Sequence, residues 1–350
     1  MGREAPPGER KEMKDGKFLT LGIESSCDET AAAVLADGRQ VLSNVISSQI
    51  DIHTAFGGVV PEIASRHHLQ NMNAVIGQAL DEANVTLEDI DLIGVTNGPG
   101  LVGALLMGVA AAKALSFAKG IPLVGVNHMH GHISANFIQD KELEPPFMSL
   151  IVSGGHTNIV EMTDYCTCAV LGGTRDDAVG EAYDKVARVI GLGYPGGPKM
   201  DKAAKDGDPD AIHFKRVYLE KGSLDFSFSG LKTAVLNYLN TERQAGREIC
   251  VPDVAASFQA AVIEVIVTKT MEAVRTRGQD KLVLSGGVAA NSKLRADLAE
   301  ACQKAGVRLY VPDPILCTDN GAMIACAAYY KYQARGADDL TLDAYPDMAI

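Results

Sequence analysis

The feature that most constrains the fold is a repeated unit in which an apolar strand ends in a polar or glycine-rich turn. The segment FLTLGIESSCDETAAAVLAD (18–37) reads as strand, polar turn and strand, and FMSLIVSGGHTNIVEM (147–162) repeats that order. A related unit, DKLVLSGGVAANSKLRADL (280–298), is a strand and glycine turn that continue into a helical pattern. Short apolar strands that alternate with helical segments, in two similar halves, predict a duplicated α/β protein.

The length of the chain also favours two units. A chain of 350 residues exceeds the size at which one hydrophobic core stops growing. We predict a first α/β domain over 18–146, completed by a helix near 320–336, and a second over 147–319. Residues 1–17 are predicted to be a disordered extension and residues 337–350 a loose acidic tail.

Two SGG turns, at 153–155 and 285–287, each end an apolar strand. The N–H groups of such turns bind phosphate oxygens, and glycine lets the backbone approach a ligand closely. A single Gly-Gly turn is usually only a turn. Two of them in duplicated halves predict a nucleotide held from both sides.

Charge and targeting signals narrow the class of protein. The formal net charge of −12 argues against a free-standing nucleic-acid binder, although a local basic groove or a basic partner remains possible. Seven cysteines without a compact framework favour reduced thiols. The charged N-terminus lacks a secretory signal, and the apolar run 101–118 contains Lys113, so we predict a buried helix and a cytoplasmic protein without a membrane span.

The histidine-rich segment NHMHGHIS (127–134) is a candidate metal site. His128 and His132 are four residues apart and share one face of a helix, whereas His130 points elsewhere. Position 129 is Met, so the Glu that a zinc protease uses as its base is missing. Asp319, at a strand-to-helix junction, is a candidate third ligand, and two histidines with one carboxylate suit Zn, Fe or Mn. The alternative is that Thr318 or Asp319 caps the following helix.

Ten segments together resemble one known family. They are GIESSCDET (22–30), PEIASRHH (61–68), NGPGLVGAL (97–105), NHMHGH (127–132), VSGGHT (152–157), GEAYDKVAR (180–188), YPGGP (194–198), FSFSGLKTA (226–234), SGGVAANS (285–292) and CTDNGAMIA (317–325). In this order they resemble the bacterial tRNA adenosine threonylcarbamoyltransferases, formerly called O-sialoglycoprotein endopeptidases. The resemblance implies the actin-like ATPase fold of sugar kinases and heat-shock ATPases, with two duplicated α/β domains around a central cleft.

The resemblance also implies an activity. A cytosolic acyltransferase of this family moves a threonylcarbamoyl group from threonylcarbamoyl-AMP to N6 of adenosine 37 in tRNAs that read ANN codons, a reaction of t6A biosynthesis. The proton of N6 must be accepted, directly or through water, and the candidates are Asp28, Glu29 and His156. Asp28 and Glu29 can equally serve to hold the first hairpin or a partner.

Residue roles carry over by motif. His128, His132 and Asp319 match the metal ligands, for which Fe²⁺ is favoured and Zn²⁺ is the alternative. The positions that match the family's nucleotide contacts are Ile151, Val152, Ser153, Gly154, Gly155, Asp184, Gly197, Asp201 and Asn291. The usual histidine block reads HMEGH, so His130 replaces a Glu, and whatever that Glu does is in doubt.

The family further implies partners: tRNA, a degenerate paralogue that forms a heterodimer, a P-loop ATPase, and the enzyme that makes threonylcarbamoyl-AMP. The helices near 62–68 and over 101–118 are predicted docking surfaces. Local positive charge for tRNA can come from Arg66, Lys185, Arg188, Lys199 and Lys232. The main alternative is a small-molecule kinase of the same fold, which gives the two histidines no task. A metalloendopeptidase lacks its base, and a non-catalytic ATP-binding scaffold would not need the histidines for tRNA modification.

Overall fold

The structure is a computed structural model that describes residues 16–350. The predicted extension over 1–17 therefore lies, apart from its last two residues, outside the described residues. Two five-stranded sheets form the framework of the molecule, and helices pack on their faces. The chain is thus an α/β protein, as the alternating pattern predicts.

The first sheet has the strand order β3-β2-β1-β4-β5. Its strands are β1 (Leu19–Glu24), β2 (Glu29–Ala36), β3 (Gln40–Ser48), β4 (Leu92–Gly98) and β5 (Leu123–Asn127). β1 pairs antiparallel with β2, with Gly22 opposite Ala33, while β4 and β5 run parallel to β1. Its helices are α1 (Ile50–Thr54), α2 (Pro61–Glu82), α3 (Val102–Lys119) and α4 (His128–Gln139).

The second sheet repeats this arrangement in the order β10-β9-β6-β7-β8. Its strands are β6 (Phe147–Val152), β7 (Thr157–Asp164), β8 (Thr167–Gly173), β9 (Lys281–Ser285) and β10 (Arg308–Tyr310). Here too an antiparallel three-stranded meander is extended by two parallel strands. The strand–turn–strand repeat in the sequence is therefore a repeat of sheet topology.

Six helices accompany or follow the second sheet. They are α5 (Val179–Val189), α6 (Gly196–Ala204), α7 (Ser229–Gln244), α8 (Val251–Arg277), α9 (Ser292–Ala305) and the short α10 (Pro314–Cys317). The last helix, α11 (Gly321–Arg335), returns to the first sheet. A Cβ on Gly22 of β1 would lie 2.2 Å from Gly321 O, so glycine at both positions lets the helix touch the strand.

α4 and α11 share a core that joins the two sheets. Ile133 of α4 and Ile324 of α11 belong to one buried cluster with Val124 of the first sheet and Ile151 of the second. This packing places the start of α4 beside the residues that precede α11. The sequence positions of His128 and Asp319 are far apart, but the fold brings their elements together.

The C-terminal segment differs from the prediction. Residues 337–350 were expected to be loose, yet they pack along the first sheet: Asp338 N donates to Leu123 O at 2.8 Å, and Tyr345 N donates to Asn97 O at 2.7 Å. Leu342 packs against the apolar core. Backbone pairing with the end of the sheet outweighs the acidic composition on which the prediction relied.

Two helices, α3 and α8, are long and apolar enough to span a membrane by length and composition alone. Two thirds of the most apolar part of α8 is buried within the protein. α3 packs against α2 so closely that a Cβ on Gly103 would lie 2.3 Å from Ser65 Oγ. α8 thus has the packing of a core helix, whereas only one third of the corresponding part of α3 is buried, so the prediction of a buried helix over 101–118 holds for one face of α3 alone.

Candidate metal centre and nucleotide cleft

Two histidines and an aspartate meet where the two halves join. Asn127, at the end of β5, begins α4 by accepting a hydrogen bond from Met129 N at 2.9 Å, and His128 and His132 follow on one face. Asp319 Oδ1 lies 3.4 Å from His128 Nε2 and 3.2 Å from His132 Nε2. One potential ligand atom from each residue lies within 4.8 Å of the others.

The residue that caps α11 is Asn320, and not Thr318 or Asp319 as the sequence suggested. Its side chain accepts a hydrogen bond from Met323 N at 2.9 Å. Because Asn320 satisfies the helix end, the carboxylate of Asp319 is available to face the histidines.

The buried imidazole of His132 indicates what the His–His–Asp group can hold. Its side chain is 1% exposed, and among the described residues neither ring nitrogen has a hydrogen-bond partner. The 3.2 Å approach of Nε2 to Asp319 lacks the angles of a hydrogen bond. Unsatisfied buried polar atoms are costly, and an ion bound at Nε2 would remove part of that cost.

The spacing of the group supports the same conclusion. Ligand atoms that surround Zn²⁺ at about 2.0–2.2 Å lie roughly 3.3–3.5 Å apart in a tetrahedral arrangement, close to the 3.2 and 3.4 Å found here. The donor set, two imidazole nitrogens and one carboxylate oxygen, suits Zn, Fe or Mn. The group is therefore compatible with a metal site.

Glu24 is a residue of this candidate site that the sequence reasoning missed. It is fully buried at the end of β1, and its Oε2 lies 3.0 Å from His128 Nδ1 and accepts a hydrogen bond from Thr96 Oγ1 at 2.5 Å. A carboxylate in this place keeps the proton on Nδ1 and leaves Nε2 free to bind an ion. The only signal in the sequence is an acidic residue at the end of an otherwise apolar strand.

In the metal-free chain, burial and neighbouring charges act in opposite directions on the pKa values of Asp319, His128 and Glu24. Burial opposes ionisation of Asp319, but His128 and His132 keep the pKa of its carboxyl far below the usual range. Burial also works against protonation of His128, yet Asp319 and Glu24 outweigh it and raise the pKa of His128 well above its ordinary value. The same imidazole holds the pKa of Glu24 below its usual value despite complete burial.

Two adjoining cavities open beside the His–His–Asp group. The first, here called the histidine cavity, has about 690 Å³ and is lined by residues of both halves, among them Asp28, His128, His156 and Asp319. The second, called the Asn291 cavity, has about 700 Å³ and is lined by Tyr183, Asp184, Gly197, Asp201 and Asn291 among others. Gly154 and Asp184 line both cavities, so the two spaces meet at the first SGG turn.

The first SGG turn offers fewer donors than expected. Ser153 N already donates to His156 O at 2.8 Å within the turn. In the described chain, the N–H groups of Gly154 and Gly155 have no backbone acceptor, so these two amides are the ones available to a ligand. Ile151 and Val152 are fully buried in β6, and neither residue lines the histidine cavity or the Asn291 cavity.

The second SGG turn lies directly against the first. A Cβ on Gly286, whose φ is +90°, would lie 2.4 Å from Val152 O, so this position requires glycine. The next residue, Gly287, lines the Asn291 cavity. The two glycine turns thus border the same space, as the duplicated sequence predicts.

The acidic residues of the Asn291 cavity are fixed by local bonds. Asp184 Oδ1 accepts a hydrogen bond from Gly196 N at 2.6 Å, which holds the YPGGP segment against α5. Burial raises the pKa of Asp184, although the amides of Gly196 and Gly197 work in the opposite direction. Asp201 Oδ1 accepts from Ser292 Oγ at 2.9 Å.

The three candidate proton acceptors, Asp28, Glu29 and His156, lie close to the His–His–Asp group but differ in their protonation and in whether they line the histidine cavity. Burial, together with Asp319 and Asp28, raises the pKa of Glu29 to about 10, so Glu29 keeps its proton at neutral pH, and its side chain does not line the histidine cavity. Burial and the two metal-site histidines lower the pKa of His156 to about 4, which makes it neutral and weakly basic. Asp28 and His156 both line the cavity.

His130, the position where the family usually has Glu, lies on the other side of α4. Its Nε2 is 3.3 Å from Cys168 Sγ, and it lines a separate cavity of about 350 Å³ together with Lys331 and Arg335. The replacement therefore leaves the geometry of His128 and His132 untouched.

Comparisons with known proteins agree with this geometry. Residues 40–326 match the profile of the TsaD family, described as tRNA N6-adenosine threonylcarbamoyltransferase. A protein of that name from Clostridioides difficile (strain 630) is 58% identical over 333 residues, which cover 95% of this chain and 98% of the relative. The counterpart from Clostridium botulinum (strain Kyoto / Type A2) is 59% identical over 330 residues, or 94% of this chain and 97% of the relative.

Solved structures support the fold alone. Full-length HypF in its phosphate- and nucleotide-bound form is similar with a TM-score of 0.62 and 14% identity, over 92% of this chain and 56% of HypF. Component A of (R)-2-hydroxyglutaryl-CoA dehydratase from Acidaminococcus fermentans has a TM-score of 0.53 and 14% identity, over 90% of this chain and 99% of that protein. These are actin-like ATPase folds, so the predicted fold class is confirmed. The extent and identity of the matches, together with the ten motifs, show that this chain belongs to the tRNA N6-adenosine threonylcarbamoyltransferase family.

Proposed function

We propose that the protein is a metal-dependent acyltransferase of the cytoplasm that moves the threonylcarbamoyl group from threonylcarbamoyl-AMP to N6 of adenosine 37 in tRNAs reading ANN codons. The observation that carries the proposal is the arrangement of the His–His–Asp group at one end of a cleft that continues past a glycine turn into a second cavity. The relatives at 58–59% identity bear the name tRNA N6-adenosine threonylcarbamoyltransferase, which supports a threonylcarbamoyl transfer to N6 of a tRNA adenosine.

The two cavities suggest how the donor substrate binds. The adenosine occupies the Asn291 cavity, where Asp184 and Asp201 accept hydrogen bonds from ribose hydroxyls. The phosphate lies at Gly154 and Gly155, whose amides have no backbone acceptor among the described residues. The acyl group then extends into the histidine cavity, toward His128 and His132.

In the proposed reaction, N6 of the tRNA adenosine attacks the carbamoyl carbon, the bond from that carbon to the phosphate oxygen breaks, and AMP leaves with the bonding electrons. AMP is a good leaving group, so no side-chain nucleophile is required. The amides of Gly154 and Gly155 stabilise the charge that develops on the departing phosphate. The cleft also holds the acyl group against the incoming amine, which can lower the barrier by roughly 7–11 kcal/mol at best.

Asp28 is the proposed acceptor of the N6 proton. It lines the histidine cavity, whereas Glu29 does not and already holds a proton at neutral pH. His156 lines the same cavity, and its lowered pKa, about 4, keeps its ring neutral at pH 7. We therefore assign His156 to a neutral hydrogen bond with the substrate and Glu29 to the support of Asp28.

His128, His132 and Asp319 are the proposed ligands of the metal, with Fe²⁺ favoured and Zn²⁺ as the alternative. A divalent ion bound there would supply Lewis-acid polarisation of the acyl carbonyl. Glu24 fixes the ring of His128 through Nδ1, at 3.0 Å. The protein's own contribution is thus a buried donor set in which a carboxylate orients the ring of His128.

Arg188 is the proposed contact for the anionic tRNA. Of the two cations that line the histidine cavity, Lys185 is bound by Asp177 at 2.6 Å and Glu181 at 2.7 Å. Arg188 donates instead to the carbonyl of Gly57 across the mouth of the cleft. A guanidinium whose hydrogen bond goes to a neutral carbonyl can exchange it for a phosphate more readily than one held by a salt bridge.

Partner proteins are proposed to supply further tRNA affinity, because the chain carries a net charge of −12. The proposed docking site of the degenerate paralogue is on α2 and α3, two neighbouring helices that expose Leu69, Val102, Leu106 and Phe117. The P-loop ATPase and the enzyme that makes threonylcarbamoyl-AMP are proposed as further members of the same system.

Reconstitution tests the function. Purified protein with its proposed partners, threonylcarbamoyl-AMP, Fe²⁺ and an ANN-decoding tRNA should yield t6A by nucleoside analysis. His132→Ala should abolish the product, whereas His213→Ala, which removes an exposed histidine, should leave it unchanged. Modification that survives His132→Ala would favour a scaffold, and rapid ADP release with a small-molecule acceptor but no t6A would favour the kinase.

A further inference from the structure

A buried glutamine lies directly behind the Asn291 cavity. Gln259, on α8, is 3% exposed and does not line the cavity itself. Its side chain nevertheless contacts three residues that do. Gln259 Oε1 accepts hydrogen bonds from Asn291 Nδ2 at 2.8 Å and Tyr183 Oη at 3.3 Å, and Nε2 donates to Asp201 Oδ1 at 3.4 Å.

The cap of helix α9 fixes which atoms donate and which accept in these hydrogen bonds. Asn291 caps α9, and its Oδ1 accepts from the backbone N–H of Leu294 at 2.9 Å. A backbone amide can only donate, so the other side-chain atom of Asn291, the Nδ2 amide, must donate to Gln259. Gln259 then presents Oε1 to Asn291 and has its own amide to offer to Asp201. The helix terminus thereby determines that Gln259 faces Asp201 with its NH₂ group.

The same contacts determine which hydrogen-bonding atoms of Asp201 and Asn291 remain free to bind a ligand. Asp201 Oδ1 is used by Gln259 and by Ser292 Oγ, so Oδ2 is the oxygen with capacity to spare, apart from a long contact of 3.4 Å with Ser292 N. Asn291 keeps one hydrogen on Nδ2. Asp201 and Asn291 together therefore offer a ligand one acceptor and one donor, and both are bound from behind by Gln259, which does not line the cavity.

We propose that Gln259 is a positioning residue for nucleoside binding, which sets the spacing and the hydrogen-bond polarity of Asp201 and Asn291. The inference rests on the proposed placement of adenosine in the Asn291 cavity. It adds to that proposal that one buried amide on α8 sets the positions of Asp201 and Asn291 in the cavity wall. An amide is required because a carboxylate cannot donate to Asp201, and an apolar side chain can neither donate nor accept.

The test uses AMP as the probe and two variants of the whole protein. Gln259→Glu is nearly isosteric but presents an acceptor to Asp201 in place of a donor. It should bind AMP about tenfold more weakly than wild type at pH 8, because the loss of one hydrogen bond of this kind typically lowers affinity by about that factor. At pH 5.5, protonation of the buried Glu restores a donor, and the ratio of the two dissociation constants should return toward one. Taking the ratio to wild type removes the effect of pH on the phosphate of AMP.

Gln259→Leu should weaken AMP binding to a similar extent at both pH values. Gln244→Leu, which alters an exposed glutamine on α7, should change nothing. Thermal unfolding confirms that each variant is folded, and if the leucine variant does not fold, the pH response of Gln259→Glu decides alone. A merely structural role would weaken binding equally at both pH values.

Three results would overturn the inference. Wild-type affinity for AMP in folded Gln259→Glu at pH 8 would remove the positioning role and leave the nucleotide site intact. Equal loss at pH 8 and pH 5.5 would show that polarity is irrelevant. Failure of the wild-type protein to bind AMP at all would instead refute the proposed adenosine site in the Asn291 cavity, and the positioning role of Gln259 would fail with it.

Discussion

At the residue scale, Glu24 determines how His128 presents its ring to a metal. Gln in its place can turn its NH₂ toward His128 Nδ1, which favours the tautomer with the proton on Nε2 and so blocks the ligand atom. We expect Glu24→Gln to weaken metal binding by about 10–100-fold, the usual effect of losing such a partner. Competition with a chromophoric chelator measures this directly, without an activity assay.

The matched control for that change is Glu300→Gln, on the exposed surface of α9, where the carboxylate pairs only with Lys304. It should bind metal as wild type does. An unaltered dissociation constant in folded Glu24→Gln would show that the tautomer of His128 is set by something else, such as Ser26 Oγ at 3.2 Å from the same nitrogen.

Glu29 gives the metal-free protein a pH dependence with a definite sign. Its pKa is raised from the ordinary 4.5 to about 10 by burial, Asp319 and Asp28. Between these values the folded chain keeps a proton that the unfolded chain releases, so stability falls as pH rises through this window. Glu29→Gln removes this loss, and at pH 8 the variant should be more stable than wild type by about 1–3 kcal/mol.

Chemical denaturation of the metal-free proteins at several pH values checks this. The advantage of Glu29→Gln should shrink as pH is lowered toward 4.5, because both states of the wild type are then protonated. A constant difference across the range would mean that Glu29 is ionised in the folded protein.

Single residues show where sequence reasoning reaches its limit. The spacing of His128 and His132 predicted a shared face, and Asp319 was a reasonable third member, because chemistry restricts which residue types can act. Glu24 escaped notice because its role depends on a distance to a residue 104 positions away. Protonation states, such as that of Glu29, depend on burial that only the folded chain creates.

At the element scale, the first SGG turn depends on how closely α5 approaches it. A Cβ on Gly180 would lie 2.6 Å from Ser153 O, so Gly180→Ala must displace the turn. We expect a loss of about 1–3 kcal/mol in stability, as for other overpacked sites, together with weaker AMP binding. Calorimetry of unfolding and of AMP binding measures the two effects.

Gly154→Ala is the informative companion. A Cβ there meets nothing within 4 Å, so the folded protein should be as stable as wild type. If a phosphate lies against this turn, the added methyl group obstructs it, and AMP affinity should fall. Unchanged affinity in Gly154→Ala would mean that the phosphate binds elsewhere.

The elements themselves were largely predictable, and their exceptions have physical reasons. Strand–turn–strand repeats predicted the first hairpin of each meander, β1–β2 and β6–β7, because apolar runs and glycine turns are local signals. The cap of α11 was misassigned because Thr318, Asp319 and Asn320 can all cap a helix, and only the fold decides among them. The C-terminal segment was misjudged because pairing with a distant strand leaves little trace in composition.

At the scale of the whole molecule, the exposed apolar residues of α2 and α3 are the proposed partner surface. Leu69 is 68% exposed and Phe117 is 79% exposed. We expect Leu69→Asp to bind metal and AMP normally but to lose most tRNA modification when the paralogue is supplied, because a buried, unpaired charge weakens an interface.

Analytical ultracentrifugation of the mixed proteins tests this surface, with Val170→Asp as the control. Val170 is an apolar side chain of β8, in the other half, and is 48% exposed. A heterodimer that forms equally well with Leu69→Asp would place the partner on another face.

The most direct test of the central proposition is an anomalous-difference map from crystals of the protein grown with Zn²⁺ or, without oxygen, with Fe²⁺. The proposal predicts one strong peak about 2.0–2.2 Å from His128 Nε2, His132 Nε2 and a carboxylate oxygen of Asp319, on the side that faces the histidine cavity. A peak at any other set of residues, or none at saturating metal, would contradict it.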